Sequence, residues 1–242
     1  MSVAVLRAVE RFVLPNACVV CERHAHGSAP DELVCHLCRA RMQAVVGGCP
    51  RCAQPVPPIG PCRFCAAWPA ALRWARSAVW LSDEAKDIVH HLKYEGYRAL
   101  ARAVADVIER RVLHPGCGVL VPVPLGARRM RARGYNQAAE IARALAERWS
   151  LPLSEWLVRR SRETRSQTAL APDARERNVQ QAFTAARPER VGEREVQVIL
   201  IDDVLTTGAT LAAAARSLES AGWSDVAAVT FARAVPFEHR AV

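Results

Sequence analysis

The sequence is poor in long apolar stretches, in lysine and in aromatics, and each shortage excludes something. No run approaches the roughly 18 apolar residues of a membrane span. The opening "MSVAVLRAVERFVLP" is interrupted by Arg7, Glu10 and Arg11, so it lacks the unbroken apolar core of a secretion signal; Leu6, Val9 and Val13 fall instead on one helical face. A cytoplasmic protein with no membrane insertion is expected, although association with a membrane-bound machinery stays open. Aromatics make up only 6% of the chain, few for a surface that would bind nucleic acid mainly by stacking. Also missing are the GxxxxGK[ST] loop of P-loop nucleotide hydrolases, the GxGxxG turn of dinucleotide enzymes and any repeat of fixed period.

Cysteine is plentiful, and it is concentrated. Eight of the nine cysteines lie between residues 18 and 65 as four CxxC knuckles. They are "CVVC" (Cys18, Cys21), "CHLC" (Cys35, Cys38), "CPRC" (Cys49, Cys52) and "CRFC" (Cys62, Cys65). Two knuckles complete a four-thiolate tetrahedral site, so the set predicts one or two structural zinc ions. Sequential pairing of the knuckles is preferred because the intervening loops are short, with interleaved pairing open. A segment this small and rich in Pro and Gly has too little apolar surface to fold alone, so metal binding would supply the folding free energy. The competing reading is a group of reduced or redox cysteines. His24, His26 and His36 are nearby spare ligands or solvated side chains, and Cys117 in "PGCGV" reads as a small buried thiol.

Two domains are expected: an N-terminal helix and double zinc ribbon over 1–70, and a larger domain over 71–242. In the larger one, strand-like runs at 77–81, 118–123, 155–159, 195–201 and 225–232 alternate with helical patterns at 83–94, 97–112, 136–149 and 209–221. That alternation predicts an α/β fold with a parallel sheet covered on both faces, whose ligands sit at the carboxyl ends of the strands. Charge is uneven. Residues 126–194 hold 15 Arg against 8 acidic residues, while 195–242 hold 3 Arg against 6, so a basic middle favours phosphate-bearing partners.

The most informative stretch is "VILIDDVLTTGAT", residues 198–210. A strand that turns directly into a helix aims free backbone N–H groups at the crevice. Thr206, Thr207 and Thr210 add hydroxyls, and Gly208 permits the turn that a phosphate nest requires. Asp202 and Asp203 would repel a bare phosphate, so they must face sugar hydroxyls or a divalent cation. Phosphate on one side and a diol on the other describes a ribose 5-phosphate. The bland alternative is a polar strand end followed by a helix cap.

This stretch resembles the phosphoribosyl-pyrophosphate (PRPP) motif of type I phosphoribosyltransferases. With the cysteine head, "HHLKYEG" (90–96), "VPVPLGARRMRARGYNQA" (121–138) and "RSQTALAPDARERNVQQAF" (165–183), the chain resembles the ComF family of competence-related proteins, double zinc ribbon proteins with a phosphoribosyltransferase-like domain. The resemblance implies that Asp202 and Asp203 hold the ribose hydroxyls and that Thr206, Thr207, Gly208, Ala209 and Thr210 wrap the 5-phosphate. Arg128, Arg129, Arg133 and Lys93 would neutralise the diphosphate, Mg²⁺ would accompany it, and Asp202, Asp203 and Lys93 would serve the reaction. Pro122 and Pro124 would stiffen the pyrophosphate loop, with an unusual peptide bond there left open. Loop 161–178, with Arg162, Arg165 and Arg175, is the expected lid. As alternatives, "RRMRARG" is a solvated basic turn, Lys93 caps its helix, and the loop arginines are exposed or salt-bridged.

Two functions follow. One is phosphoribosyl transfer from PRPP to a nitrogen acceptor, as a glycosyltransferase linked to competence, DNA uptake and nucleoside metabolism. The other is non-catalytic handling of single-stranded DNA in natural transformation, with a phosphorylated ribose in the pocket. It would draw on the zinc head, the Arg-rich middle and exposed aromatics, yet Phe64, Trp68 and Trp74 read better as packing residues.

Overall fold

The computed structural model describes residues 17–23, 33–55, 62–161, 182–188 and 196–234. The N-terminal helix, His24, His26 and the arginines of the expected lid lie outside these residues. A one-and-a-half-turn helix α1 (His36–Arg41) begins inside the second knuckle and carries Cys38, and the sheet begins with strand β1 (Leu72–Trp80). Helices α2 (Asp83–Tyr94) and α3 (Leu100–Arg111) come next, then β2 (Val119–Pro122), α4 (Ala127–Arg133) and α5 (Gln137–Trp149). Short strands β3 (Val158–Arg160) and β4 (Phe183–Ala185) pair antiparallel, with Arg160 opposite Phe183. Strand β5 (Val198–Leu205), helix α6 (Ala209–Ala221) and strand β6 (Val226–Arg233) complete the fold.

β1, β6, β5 and β2 form, in that order, one wholly parallel sheet. Side chains alternate across a strand, and β5 uses both faces: Ile199 and Ile201 join one core while Val198 and Leu200 join the other. The first core holds the apolar sides of α2, α3 and α5; the second holds Leu211, the run Ala212 to Ala215, and Leu218 of α6. Small side chains let α6 approach the sheet closely, and Gly222 ends it in the left-handed conformation that L-residues avoid. None of the described helices is long and apolar enough to cross a membrane.

The parallel α/β sheet matches expectation, and so do the bounds of α2 and α6. Three strands differ. β1 starts at Leu72 rather than 77, because its outward arginine is absorbed by the cysteine segment: Arg76 donates to the carbonyls of Pro50 and Arg51 at 2.6 and 3.3 Å. β5 runs on to Leu205, so both aspartates lie within the strand rather than beyond it. The run expected at 155–159 begins only at Val158 and belongs to the small antiparallel pair, with Trp156 exposed before it. The basic stretch, for which a solvated turn was the alternative reading, forms the short helix α4. Cys117 is exposed, not buried, in a surface turn between two positive-φ glycines, Gly116 and Gly118. The described residues contain no cis peptide bond, at Pro122 and Pro124 included.

Candidate functional site

The site starts with two consecutive carboxylates near the end of β5. Asp202 Oδ1 accepts from Asp203 N at 2.9 Å, and Asp203 Oδ1 accepts from Val204 N at 3.0 Å, so local backbone bonds hold both side chains. Their remaining contacts differ. Asp203 is buried, and its Oδ2 lies 2.5 Å from Lys93 Nζ at the end of α2, an ion pair outside hydrogen-bonding angle that is the only partner Oδ2 has among the described residues. Asp202 has no ion-pair partner among them. Burial, then the neighbouring Asp203 charge, pushes the Asp202 pKa well above the usual carboxylate value, against the pull of Lys93.

After Leu205 the chain turns through Thr206, Thr207 and Gly208 into α6. Gly208 has φ +78°. No side chain caps this helix start, which leaves its first N–H groups directed outward, apart from Ala209 N, which donates to Thr207 Oγ1 at 3.4 Å. Opposite stands α4, whose helix ends at Gly134, also in the left-handed conformation. Asn136 anchors the following helix: its Oδ1 accepts from Ala138 N at 3.1 Å and its Nδ2 donates to Val123 O at 3.0 Å. Tyr135 donates its hydroxyl to Leu92 O, which fixes the end of α2 that carries Lys93.

These elements enclose a cavity of about 360 Å³, within the range of small-molecule sites. Asp202, Asp203, Thr206, Thr210, Lys93, Arg129 and Arg133 all line it, although they come from three separate parts of the chain. Thr207, Gly208, Ala209 and Arg128 do not. Sequence reasoning passed over Tyr94, Gln137, Arg160 and Phe183, which also line the cavity. Arg133 donates to Gln137 Oε1 and stands 5.4 Å from the Tyr94 ring, and Arg160 lies 5.2 Å from the Phe183 ring. Tyr94 and Gln137 sit inside the segments already singled out, so proximity to Lys93 and Asn136 was their signal. Phe183 closes the segment 165–183 already quoted, whereas Arg160 had no signal, because only the pairing of β3 with β4 brings it beside Phe183. Four cations against two carboxylates give the cavity a positive balance suited to a polyanion that also carries hydroxyls.

The cysteines form two groups, Cys18, Cys21, Cys35, Cys38 and Cys49, Cys52, Cys62, Cys65, in the sequential pairing preferred above. Within them Sγ–Sγ separations are 3.8 Å for Cys18–Cys38 and Cys21–Cys35, 3.7 Å for Cys49–Cys65 and 3.6 Å for Cys52–Cys62. A regular tetrahedron with zinc–sulfur bonds of about 2.3 Å has an edge of about 3.8 Å, so both groups suit structural zinc. Burial works against ionising Cys18 and Cys49, yet backbone and thiol hydrogen bonds outweigh it and bring each down to about 7. His36 is exposed and stays outside both groups. Trp68 is buried, and Phe64 and Trp74 are partly buried, as packing residues would be.

Residues 131–236 match the family model of the phosphoribosyl transferase domain. Competence protein ComFC of Bacillus subtilis is 32% identical over 203 residues, 80% of each chain. DNA utilization protein YhgH of Salmonella typhimurium is 30% identical over 204 residues, covering 80% of this chain and 87% of that one. Competence protein F of Haemophilus influenzae is 34% identical over 118 residues, about half of each.

Proposed function

The chain belongs to the ComF family of competence and DNA utilization proteins, with its phosphoribosyltransferase-like domain, and on that premise we propose that it binds PRPP, or a closely related phosphorylated ribose, in the cavity at the end of β5. One observation carries the reading: two carboxylates, two threonine hydroxyls and three cations named from the sequence line a single volume. Thr206, Thr210 and the open start of α6 take the 5-phosphate, and Asp202 takes the sugar diol. Arg129, Arg133 and Arg160 face the diphosphate. Lys93, held by Asp203, sets the charge between them.

Mg²⁺ fits this arrangement, since it prefers water and substrate phosphates with one or two carboxylates, and Asp202 is a carboxylate without a cationic partner among the described residues. Its contribution when bound is to neutralise diphosphate charge. The proposed reaction breaks the bond between the anomeric carbon and the diphosphate oxygen and forms one to an acceptor nitrogen. The arginines stabilise the departing anion, which is where most of the barrier reduction lies.

Calorimetry with PRPP and Mg²⁺ tests the binding. Wild type is expected to give saturable heat, and the Asp202→Asn/Asp203→Asn variant, checked to be folded, none. A silent wild type, or a variant that binds equally well, removes the reading. Pyrophosphate release across nucleobases and amines then tests transfer.

A second reading has a specific observation behind it. Arg128 and Arg131 of α4 are exposed and do not line the cavity, and Met130 beside them is 41% exposed. A surface of that kind suits the backbone of single-stranded DNA, whose binding would fall steeply with salt.

A further inference from the structure

Arg233, the last residue of β6, is fully buried, yet among the described residues no carboxylate pairs with it. An unpaired buried cation is costly, so something must answer its charge. Its Nε and Nη2 donate to Gln54 Oε1 at 3.1 and 2.6 Å, and its Nη1 donates to Cys52 O at 2.5 Å. The guanidinium carbon stands 4.5 Å from the Phe64 ring. Cys52 is a member of the second cysteine group, Gln54 and Phe64 lie in the same segment, and the ionisable side chains that act on the Arg233 charge are the thiols of Cys52, Cys62 and Cys49. Four thiolates around one zinc ion make a dianion, which is the charge the guanidinium lacks.

Two residues bonded to this cysteine group, Arg233 and Trp68, touch the turn of the proposed phosphate site. At its start, Leu205 pairs with Arg233 in the sheet, and Leu205 O accepts from Ala234 N at 3.0 Å. At its end, a Cβ added to Gly208 would come within 2.9 Å of Trp68 Cζ2, so the indole lies directly on the glycine. Trp68 N donates to Cys65 O at 3.2 Å. Arg51, inside the third knuckle, holds the same segment by donating to the carbonyls of Cys65, Trp68, Pro69 and Leu72.

We propose that Arg233 is the counter-charge of the second four-cysteine zinc centre and that Arg233 and Trp68 are positioning residues through which this centre sets the turn Leu205 to Gly208. The guanidinium fork suits the first role, because its donors leave in several fixed directions at once. Groups one step out from a metal commonly tune its retention. The first cysteine group has no such part, since it packs into the opposite core, with α3. Only the significance of the turn rests on the proposed PRPP reading.

The test compares Arg233→Gln, Arg233→Lys and Trp68→Leu in the full-length, zinc-loaded protein. Zinc transfer to a chromophoric chelator is read together with hydrogen exchange of the peptide spanning 203–210. Arg233→Gln is expected to release one of its two zinc ions about tenfold faster, leaving the other at the wild-type rate. Arg233→Lys, which keeps the charge and loses the fork, should fall between. Trp68→Leu should keep both zinc rates near wild type while exchange in 203–210 rises, as it should also rise in Arg233→Gln. Wild-type release of both ions from Arg233→Gln overturns the counter-charge, and wild-type exchange of the turn in Arg233→Gln and Trp68→Leu alike overturns the positioning role. Should Arg233→Gln fail to fold, Arg233→Lys decides in its place by the same criterion. Neither readout uses a ligand, so a protein that failed to bind PRPP would still give the same zinc-release and exchange results.

Discussion

Under the proposed function, Asp202 carries a conflict between fold and ligand in one side chain. Its folded pKa is raised, first by burial and then by Asp203, so the folded chain holds the Asp202 proton more tightly than the unfolded chain does. That contribution is complete below the ordinary carboxylate range and is lost as pH rises through the folded value. At neutral pH the ionised side chain therefore costs stability, and Asp202→Asn should melt at a higher temperature than wild type while binding PRPP more weakly. The gap should close on acidification as the wild-type carboxyl takes up its proton. Thermal unfolding across pH checks this, and a variant that melts lower at neutral pH would refute it. Asp203 is different, since its removal strands Lys93. The adjacent pair was legible in the sequence, but this division of roles was not, because it depends on a lysine delivered by a distant helix.

At the scale of elements, α4 separates the two functional readings. Arg129 and Arg133, one helical turn apart, line the cavity, whereas Arg128 and Arg131 do not. Losing one charge-assisted contact should weaken PRPP roughly tenfold for Arg129→Ala or Arg133→Ala. Arg128→Ala and Arg131→Ala should leave PRPP affinity near wild type and, under the DNA reading, flatten the salt dependence of single-strand binding. Calorimetry and filter binding on the same four variants check both. A PRPP affinity equally sensitive to all four would show that α4 acts as a diffuse positive surface rather than as one wall of a site. The sequence displayed the arginines but not the helix, because six of its seven positions are exposed and none is fully buried, so no apolar period marks it. The β3–β4 pair was equally hidden. Strands of three residues carry too little alternation to announce a partner, and Arg160 and Phe183 entered the site through that pairing alone.

For the whole molecule, the decisive fact is where the cysteine segment goes. Knuckle spacing predicted one or two metal groups, and two groups with sulfur separations suited to zinc are present, but spacing says nothing about what the groups lean on. They lean on the sheet. Cys18, Cys35 and Cys38 enter one core and Cys49, Cys52 and Cys65 the other. The segment also covers the free edge of β1: Val45 N donates to Ala78 O at 3.3 Å, Trp80 N to Gln43 O at 2.9 Å and Ala75 N to Arg51 O at 2.8 Å. An uncovered edge strand offers a row of unpaired backbone groups to any neighbour. On these contacts we propose that the boundary read near residue 70 separates two textures of sequence rather than two independent folding units. A chain comprising 71–242 should lose that cover, strip apolar side chains from both cores and leave Arg233 buried without its counter-charge. It is expected to aggregate or to lack a cooperative melt, as judged by size exclusion with light scattering and by calorimetry. Full-length protein treated with a strong zinc chelator should move toward the same state, with its melting temperature falling as zinc is removed. A monomeric, cooperatively melting 71–242 fragment would mean that the cysteine segment merely decorates the sheet, and the coupling of metal to phosphate turn would have to be abandoned with it.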